Sequence, residues 1–121
     1  MRLETKNSNL TVGVLALQGD FERHQHQLVL VGVCPVLVRK AEELKTIDAL
    51  IIPGGESTTM HHLIERFGLR QSLLDFAEKK PIWGTCAGMI MLAAEVDDET
   101  VRPLGAIDIS VIRLIRTTEF Y

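Results

Sequence analysis

The sequence predicts an α/β fold of three layers, with a mostly parallel sheet carrying helices on both faces. Segments with strand-like and helix-like apolar spacing alternate along the chain, as in proteins with parallel sheets. Residues 11–17, TVGVLAL, form an almost unbroken apolar run, which is typical of a strand covered on both faces. A glycine-containing turn follows each of three predicted strands. These turns lie at the carboxyl ends of the strands, the sheet edge where binding and catalytic sites form in such folds. With 121 residues, the chain suffices for one domain.

The first half of the chain predicts three strands and two helices. Strands are predicted at 11–17, 34–39 and 48–53. The first helix places four residues on one face behind Asp20, which can cap it: Phe21, His24, Leu28 and Val31. The second predicted helix has apolar residues at i, i+3, i+4 and i+7, which are Met60, Leu63, Ile64 and Phe67.

The second half predicts two helices and two strands. A helix containing Leu69, Leu73 and Phe76 ends before Pro81. Strands are predicted at 81–85 and 105–113, with a buried helix at 87–95, AGMIMLAAE, between them.

Composition and charge exclude several function classes. The net charge of −3 offers no electrostatic basis for binding nucleic acid or an anionic membrane. No apolar run reaches the roughly 18 residues of a membrane span, and the polar start is not a secretory signal. Cys34 and Cys86 form neither a disulfide framework nor a metal-binding spacing, so we expect no metal and a cytoplasmic location. Cys34 is most simply a buried structural thiol.

The segment GTCAG, residues 84–88, places a thiol between a predicted strand and a predicted helix. Gly-x-Cys-x-Gly is the thiol counterpart of a nucleophile elbow, in which a strained turn exposes the nucleophile. Gly84 and Gly88 would supply the space that such a turn needs. The backbone N–H of Ala87 would point toward an oxyanion formed by attack of Cys86 on a carbonyl. The alternative is that Cys86 is a small buried hydrophobic residue.

A second glycine turn, Gly54-Gly55, follows the third predicted strand. It can bring another backbone N–H to the same place, where it would be a second oxyanion donor. The simpler interpretation is a glycine turn before a helix capped by Ser57, and the two interpretations are compatible. Together the two turns favour acyl transfer by Cys86.

Four segments resemble the class I glutamine amidotransferases, and more narrowly the glutaminase subunits of pyridoxal 5′-phosphate synthases. They are VGVLALQGDFERH (12–24), LIIPGGESTTM (50–60), PIWGTCAGMIML (81–92) and LGAIDISVIR (104–113). The combination of PGGESTTM with WGTCAGM is specific, and PGGEST argues against a cysteine hydrolase of another α/β family.

The resemblance implies a class I glutamine amidotransferase-like fold whose sheet is incomplete on its carboxyl-terminal side. It also implies hydrolysis of L-glutamine to glutamate and ammonia. The ammonia would pass to a synthase subunit that makes pyridoxal 5′-phosphate, the vitamin B6 cofactor, and the glutaminase would need no cofactor of its own. Cys86 is implied as the nucleophile, with the backbone N–H groups of Gly55 and Ala87 as the oxyanion hole.

The resemblance also implies a substrate pocket lined by Gly55, Glu56 and Ser57. Glu56 would meet the α-ammonium group of glutamine, and Arg113 would lie near its α-carboxylate. From the residues alone, Glu56 is equally a first-turn acid favoured by the helix dipole, and Arg113 is more simply a solvated arginine at a strand end.

The sequence differs from this family at the general base. In the family, the base is the histidine of a His-x-Glu motif that follows the cysteine. All four histidines precede Cys86: His24, His26, His61 and His62. Each is interpreted as an ordinary helix histidine, and His61 with Glu65 would supply only two metal ligands. We therefore expect a polar tail at 1–10, a partial glutaminase domain at 11–113, and a non-matching tail at 114–121 that suggests truncation. The alternative function is an inactive form that only binds glutamine or the synthase partner.

Overall fold

A parallel four-stranded sheet forms the centre of the computed structural model, which describes residues 10–112. Its strands lie in the order β2-β1-β3-β4, and all three pairings are parallel. The strands are β1 (Thr11–Leu15), β2 (Cys34–Val38), β3 (Ala49–Ile52) and β4 (Ile82–Gly84). The predicted parallel sheet is confirmed.

Within residues 10–112, four α-helices and one 3₁₀ helix connect the strands. The α-helices are α1 (Phe21–Leu30), α2 (Ser57–Arg66), α3 (Arg70–Lys79) and α4 (Ala87–Leu92). The 3₁₀ helix, Ala41–Thr46, was not predicted, because its only buried side chain is Leu44 and it has no amphipathic repeat. No helix within residues 10–112 is long and apolar enough to cross a membrane.

The sheet buries a different cluster on each face, because side chains alternate along its strands. On one face, Val12, Val14 and Ile51 pack with Phe21 and Leu28 of α1. The other face holds a larger cluster, in which Leu15, Leu50 and Ile52 pack with residues of α2, α3 and α4: Met60, Ile64, Leu73, Phe76, Met91 and Leu92. Helices thus cover both faces, as the sequence predicts.

The predicted helix at 87–95 is wrong in its last turn. Residues Ala93–Val96 form strand β5, which pairs in parallel with β6 (Ile107–Val111) in a separate two-stranded sheet. The backbone N–H of Gly105 also donates to the Ala93 carbonyl at 2.9 Å. An uninterrupted apolar segment fits a helix or a strand equally well, and here the pairing with β6 decides between them.

Three local expectations near α1 and β2 are also wrong. Asp20 precedes α1, but its side chain makes no capping hydrogen bond. Val31 lies beyond the last turn of α1 and is 65% exposed instead of sharing the apolar face. Cys34 is exposed, because it is the first residue of β2, an edge strand.

Several expectations concern residues outside the described range. These are Arg113, the polar tail at 1–10 except for Leu10, and the tail at 114–121.

The connection between β5 and β6 is held against α2 and α3 by Arg70. Its Nη1 donates to Glu65 Oε2 and to the Arg102 carbonyl, each at 3.0 Å, and its Nη2 donates to the Pro103 carbonyl. The Arg70 side chain is only 16% exposed, so these bonds are partly shielded from water. The planar guanidinium group of Arg70 therefore links the β5–β6 connection to α2 and α3 by hydrogen bonds.

We expect Arg70→Ala to lower the free energy of unfolding by about 2 kcal/mol, because it leaves two carbonyl groups without their charged donor. Urea unfolding at neutral pH measures this loss. Arg66→Ala, which removes an exposed arginine from the last turn of α2, is the control and should change stability by less than about 0.5 kcal/mol. Equal effects of the two substitutions would contradict the role assigned to Arg70.

Candidate active site

Cys86 lies at the turn between β4 and α4, in a backbone conformation that side chains rarely adopt. Its φ is 50° and its ψ is −113°, and no other non-glycine residue within 10–112 has a positive φ. Such a conformation costs about 1–3 kcal/mol and persists only where the surrounding structure enforces it. The strained elbow that the sequence predicts is therefore present.

Two glycines allow the elbow to pack closely on the sheet. A Cβ atom added to Gly84 would lie 2.5 Å from the carbonyl carbon of Gly88. A Cβ atom added to Gly88 would lie 2.0 Å from the carbonyl oxygen of Ile52, at the end of β3. Both obstacles are backbone atoms, so neither position has space for a side chain. This confirms that the elbow needs neighbours without bulk.

Cys86 is exposed, which contradicts the interpretation of this residue as a small buried hydrophobic side chain. The glycine turn after β3 lies beside it: a Cβ atom added to Gly54 would lie 3.4 Å from the Cβ of Cys86. The backbone N–H of Thr85 donates to the Ile52 carbonyl at 3.1 Å and joins the two turns. The predicted meeting of the two glycine-containing turns is thus observed.

Two backbone N–H groups in these turns have no protein acceptor within residues 10–112. Within residues 10–112, the N–H groups of Gly55 and Ala87 donate no hydrogen bond to a protein acceptor. Ala87 is the first residue of α4, where the N–H groups of a helix have no partner within it. A substrate oxygen beside Cys86 could accept from such groups, which is the chemistry of an oxyanion hole.

Glu56 caps α2, and Ser57 does not, contrary to the simpler interpretation of this turn. The Glu56 Oε1 atom accepts hydrogen bonds from the backbone N–H and the hydroxyl of Thr59, both at 2.8 Å. These bonds, that of the hydroxyl first, lower the pKa of the Glu56 carboxyl below its usual value of 4.5. Ser57 is the half-buried first residue of the helix. Glu56 is therefore an anion beside the Gly54-Gly55 turn at neutral pH.

Two of the described histidines contact residues other than Cys86. His61 accepts a hydrogen bond from the Arg102 backbone N–H at its Nδ1 atom, at 3.2 Å. His24 packs edge-on against Trp83, with ring centroids 6.0 Å apart. Within residues 10–112, no hydrogen bond joins Cys86 to a histidine, and no three His, Cys, Asp or Glu side chains are grouped as a metal site.

A third turn, Gln18-Gly19-Asp20, contacts the Gly54-Gly55 segment. The sequence placed this turn at the same sheet edge, but none of its residues was among the predicted site residues. The backbone N–H of Asp20 donates to the Gly54 carbonyl at 3.2 Å, and Gln18 Oε1 accepts from the Glu56 N–H at 3.0 Å. The position of this turn at the carboxyl end of β1 was the sequence signal that it belongs to the candidate site. The sequence contains no pattern that reveals the contact itself.

Comparisons with known proteins agree with this geometry. Residues 14–115 match the model of the SNO glutamine amidotransferase family. Curated relatives described as pyridoxal 5′-phosphate synthase subunit PdxT include one from Dehalococcoides mccartyi, 52% identical over 107 residues, and one from Bacillus pumilus, 46% identical over 105. Each alignment covers 86% of this chain, with 55% and 54% of the respective relative. The chain therefore spans about half the length of these curated relatives.

Solved structures show the same fold. A crystal structure described as a glutamine amidotransferase superimposes with a TM-score of 0.77 at 43% identity, over 84% of this chain and 56% of its own. A putative peptidase E from Listeria monocytogenes has a TM-score of 0.59 at 16% identity, over 75% of this chain and 54% of its own. The second likeness concerns the fold alone.

We expect Gly88→Ala to destabilise the protein by about 3 kcal/mol or more, because the added methyl group would overlap the Ile52 carbonyl. Gly68→Ala is the control. Gly68 has a φ of 64° and open space around it, so only backbone strain of about 1 kcal/mol should appear. Urea unfolding of both variants measures the difference, and a Gly88→Ala loss no larger than that of Gly68→Ala would refute the close packing.

The lowered pKa of Glu56 predicts a pH dependence of stability. Because the folded-state pKa lies below the unfolded value, the cap stabilises the protein above about pH 4.5 and loses this effect as pH falls through the folded-state pKa. We expect Glu56→Gln to be less stable than the parent at pH 7, with the difference shrinking toward pH 3. Urea unfolding across this range tests it, with Glu22→Gln, in the first turn of α1, as the control. A difference that grows on acidification would contradict the sign.

Proposed function

The chain belongs to the SNO glutamine amidotransferase family, and on that premise we propose that it carries the nucleophile part of a glutaminase site. This site hydrolyses L-glutamine to glutamate and ammonia. The observation that carries the proposal is the strained, exposed Cys86 beside the Gly54-Gly55 turn.

Cys86 acts as the nucleophile in the proposed reaction. Its thiolate attacks the side-chain amide carbon of glutamine, and the carbonyl oxygen becomes an oxyanion that accepts from the N–H groups of Gly55 and Ala87. Collapse of this intermediate breaks the carbon–nitrogen bond, and the nitrogen leaves as ammonia after taking up a proton. Water then hydrolyses the γ-glutamyl thioester, which releases glutamate and regenerates the thiol.

The substrate's α-amino-acid group is held by charge in this proposal. Glu56 binds the α-ammonium group, as a carboxylate that its hydrogen bonds with Thr59 hold beside the Gly54-Gly55 turn. Gly55 and Ser57 line the same pocket. Arg113, outside the described residues, is proposed to lie near the α-carboxylate.

The reaction also needs a group that takes the thiol proton and returns it to the leaving nitrogen. No hydrogen bond within residues 10–112 links Cys86 to a histidine. We propose that this general base lies outside residues 10–112. The nucleophile and the oxyanion donors would then be organised independently of the base.

The proposed partner is a pyridoxal 5′-phosphate synthase subunit that consumes the ammonia. The support is the printed name of the relatives, pyridoxal 5′-phosphate synthase subunit PdxT. The proposed location is the cytoplasm, where glutamine is abundant and thiols stay reduced. No cofactor is needed for the glutaminase step itself.

We expect a diazoketone analogue of glutamine to label Cys86 at least about tenfold faster than Cys34, because only Cys86 lies in the proposed glutamine pocket. Cys34 is the matched control, since it is also an exposed free thiol. Mass spectrometry of peptides from the labelled chain measures both rates, with and without added glutamine. Glutamine should slow the labelling of Cys86 and leave Cys34 unaffected.

Equal labelling of the two cysteines, or no protection by glutamine, would overturn the proposal. A second, independent measurement is glutamate release from glutamine by this chain, with and without the synthase subunit. Cys86→Ala is its control. Turnover that survives Cys86→Ala would show that another group is the nucleophile.

A further inference from the structure

The turn Gln18-Gly19-Asp20, after β1, contacts the backbone of the Gly54–Glu56 segment at three points. The Asp20 N–H donates to the Gly54 carbonyl at 3.2 Å, and Gln18 Oε1 accepts from the Glu56 N–H at 3.0 Å. Between these bonds, a Cβ atom added to Gly19 would lie 1.9 Å from the Gly54 carbonyl oxygen. The two backbones are therefore in direct contact.

These contacts fix the direction of the proposed oxyanion donor. The peptide group between Gly54 and Gly55 is planar and trans, so its carbonyl and its N–H point in opposite directions. Because the carbonyl faces Asp20, the Gly55 N–H points away from the Gln18-Gly19-Asp20 turn. If that contact were lost, the orientation of this N–H group would no longer be fixed.

Gln18 supplies the second restraint on the same segment. Gly55 has a φ of 148°, a conformation that glycine enters and leaves readily. The side-chain amide of Gln18 occupies the space where a Cβ of Gly55 would lie, with both amide atoms 2.5 Å from that position. Gln18 thus packs against Gly55 and accepts a hydrogen bond from the following residue.

The other end of the Gln18 amide carries an energetic cost. Its Nε2 atom is buried and has no hydrogen-bond partner within residues 10–112. Rotating the amide would not help, because Nε2 would then face the Glu56 N–H, another donor. A buried unpaired donor is destabilising, and a hydrocarbon side chain of similar length would remove this cost but also the acceptor of the Glu56 N–H.

We propose that Gln18 is a positioning residue that holds the Gly54–Glu56 segment so that the Gly55 N–H stabilises the oxyanion. This inference rests on the proposed function, since it assigns Gln18 to the same reaction. Gln18 acts through the backbone of Gly55 and Glu56 and takes no part in proton transfer. It should therefore affect only steps in which an oxyanion forms.

Two reactions of Cys86 separate this role from a general structural one. Acylation by p-nitrophenyl acetate proceeds through a tetrahedral oxyanion, whereas alkylation by iodoacetamide displaces iodide from a saturated carbon and forms none. Both rates can be measured by mass spectrometry on the full chain in a Cys34→Ser background. The test variant is Gln18→Met, which keeps the side-chain length and removes both polar atoms. Gln71→Met is the matched control, because Gln71 bonds only to Asp75 on the exposed surface of α3.

We expect Gln18→Met to slow acylation about tenfold or more while alkylation stays within about twofold of the parent. Gln71→Met should change neither rate. An unchanged acylation rate would overturn the proposal. So would an equal fall in both rates, because Gln18 would then act on the thiol or on the fold.

The same experiment separates this proposal from the proposed function. If the parent chain is acylated no faster at Cys86 than at other groups, as judged against Cys86→Ser, the nucleophile assignment itself fails and this proposal fails with it. If the parent is acylated at Cys86 and Gln18→Met behaves like the parent, only the role of Gln18 fails.

Discussion

The packing of Gly88 against the Ile52 carbonyl is the constraint on which the site depends. Because the backbone of α4 touches the end of β3 directly, α4 must begin immediately beyond the sheet edge. The chain has only two residues, Thr85 and Cys86, in which to turn from β4 into α4. The positive φ of Cys86 is the result of this short connection, and the turn leaves its side chain exposed. The local strain is offset by the buried apolar contacts of α4, through Met91 and Leu92.

The proposed site contains backbone groups that are held in place by backbone contacts and by the Gln18 side chain. The elbow is fixed by β3, and the Gly54–Glu56 segment is fixed by the turn after β1. Glycine is needed at each contact because two main chains approach more closely than any Cβ would allow. Donors held in this way need no reorganisation when charge develops on a substrate, which is the property that makes an oxyanion hole effective.

Much of this could be predicted from the sequence, since it depends on local pattern. The continuous apolar runs located β1 and β3, and the spacing of Gly84, Cys86 and Gly88 located the elbow. Two of the failures share a physical cause, which is that non-local contacts decided the outcome. Ala93–Val96 is a strand because β6 pairs with it, and Cys34 is exposed because β2 is an edge strand. The contact of Gln18 with Glu56 joins residues 38 positions apart, so no local pattern could reveal it.

Glu56 shows how a structural and a proposed functional role can be served by one carboxylate. Both Thr59 hydrogen bonds go to one oxygen, Oε1, and they hold the side chain over the first turn of α2. A carboxylate has about four lone-pair positions, so these two bonds leave capacity for an ammonium donor. The bonds also lower the pKa of the group, which keeps it ionised over a wider pH range. Capping the helix and the proposed binding of a cation therefore use the same charged carboxylate beside the Gly54-Gly55 turn.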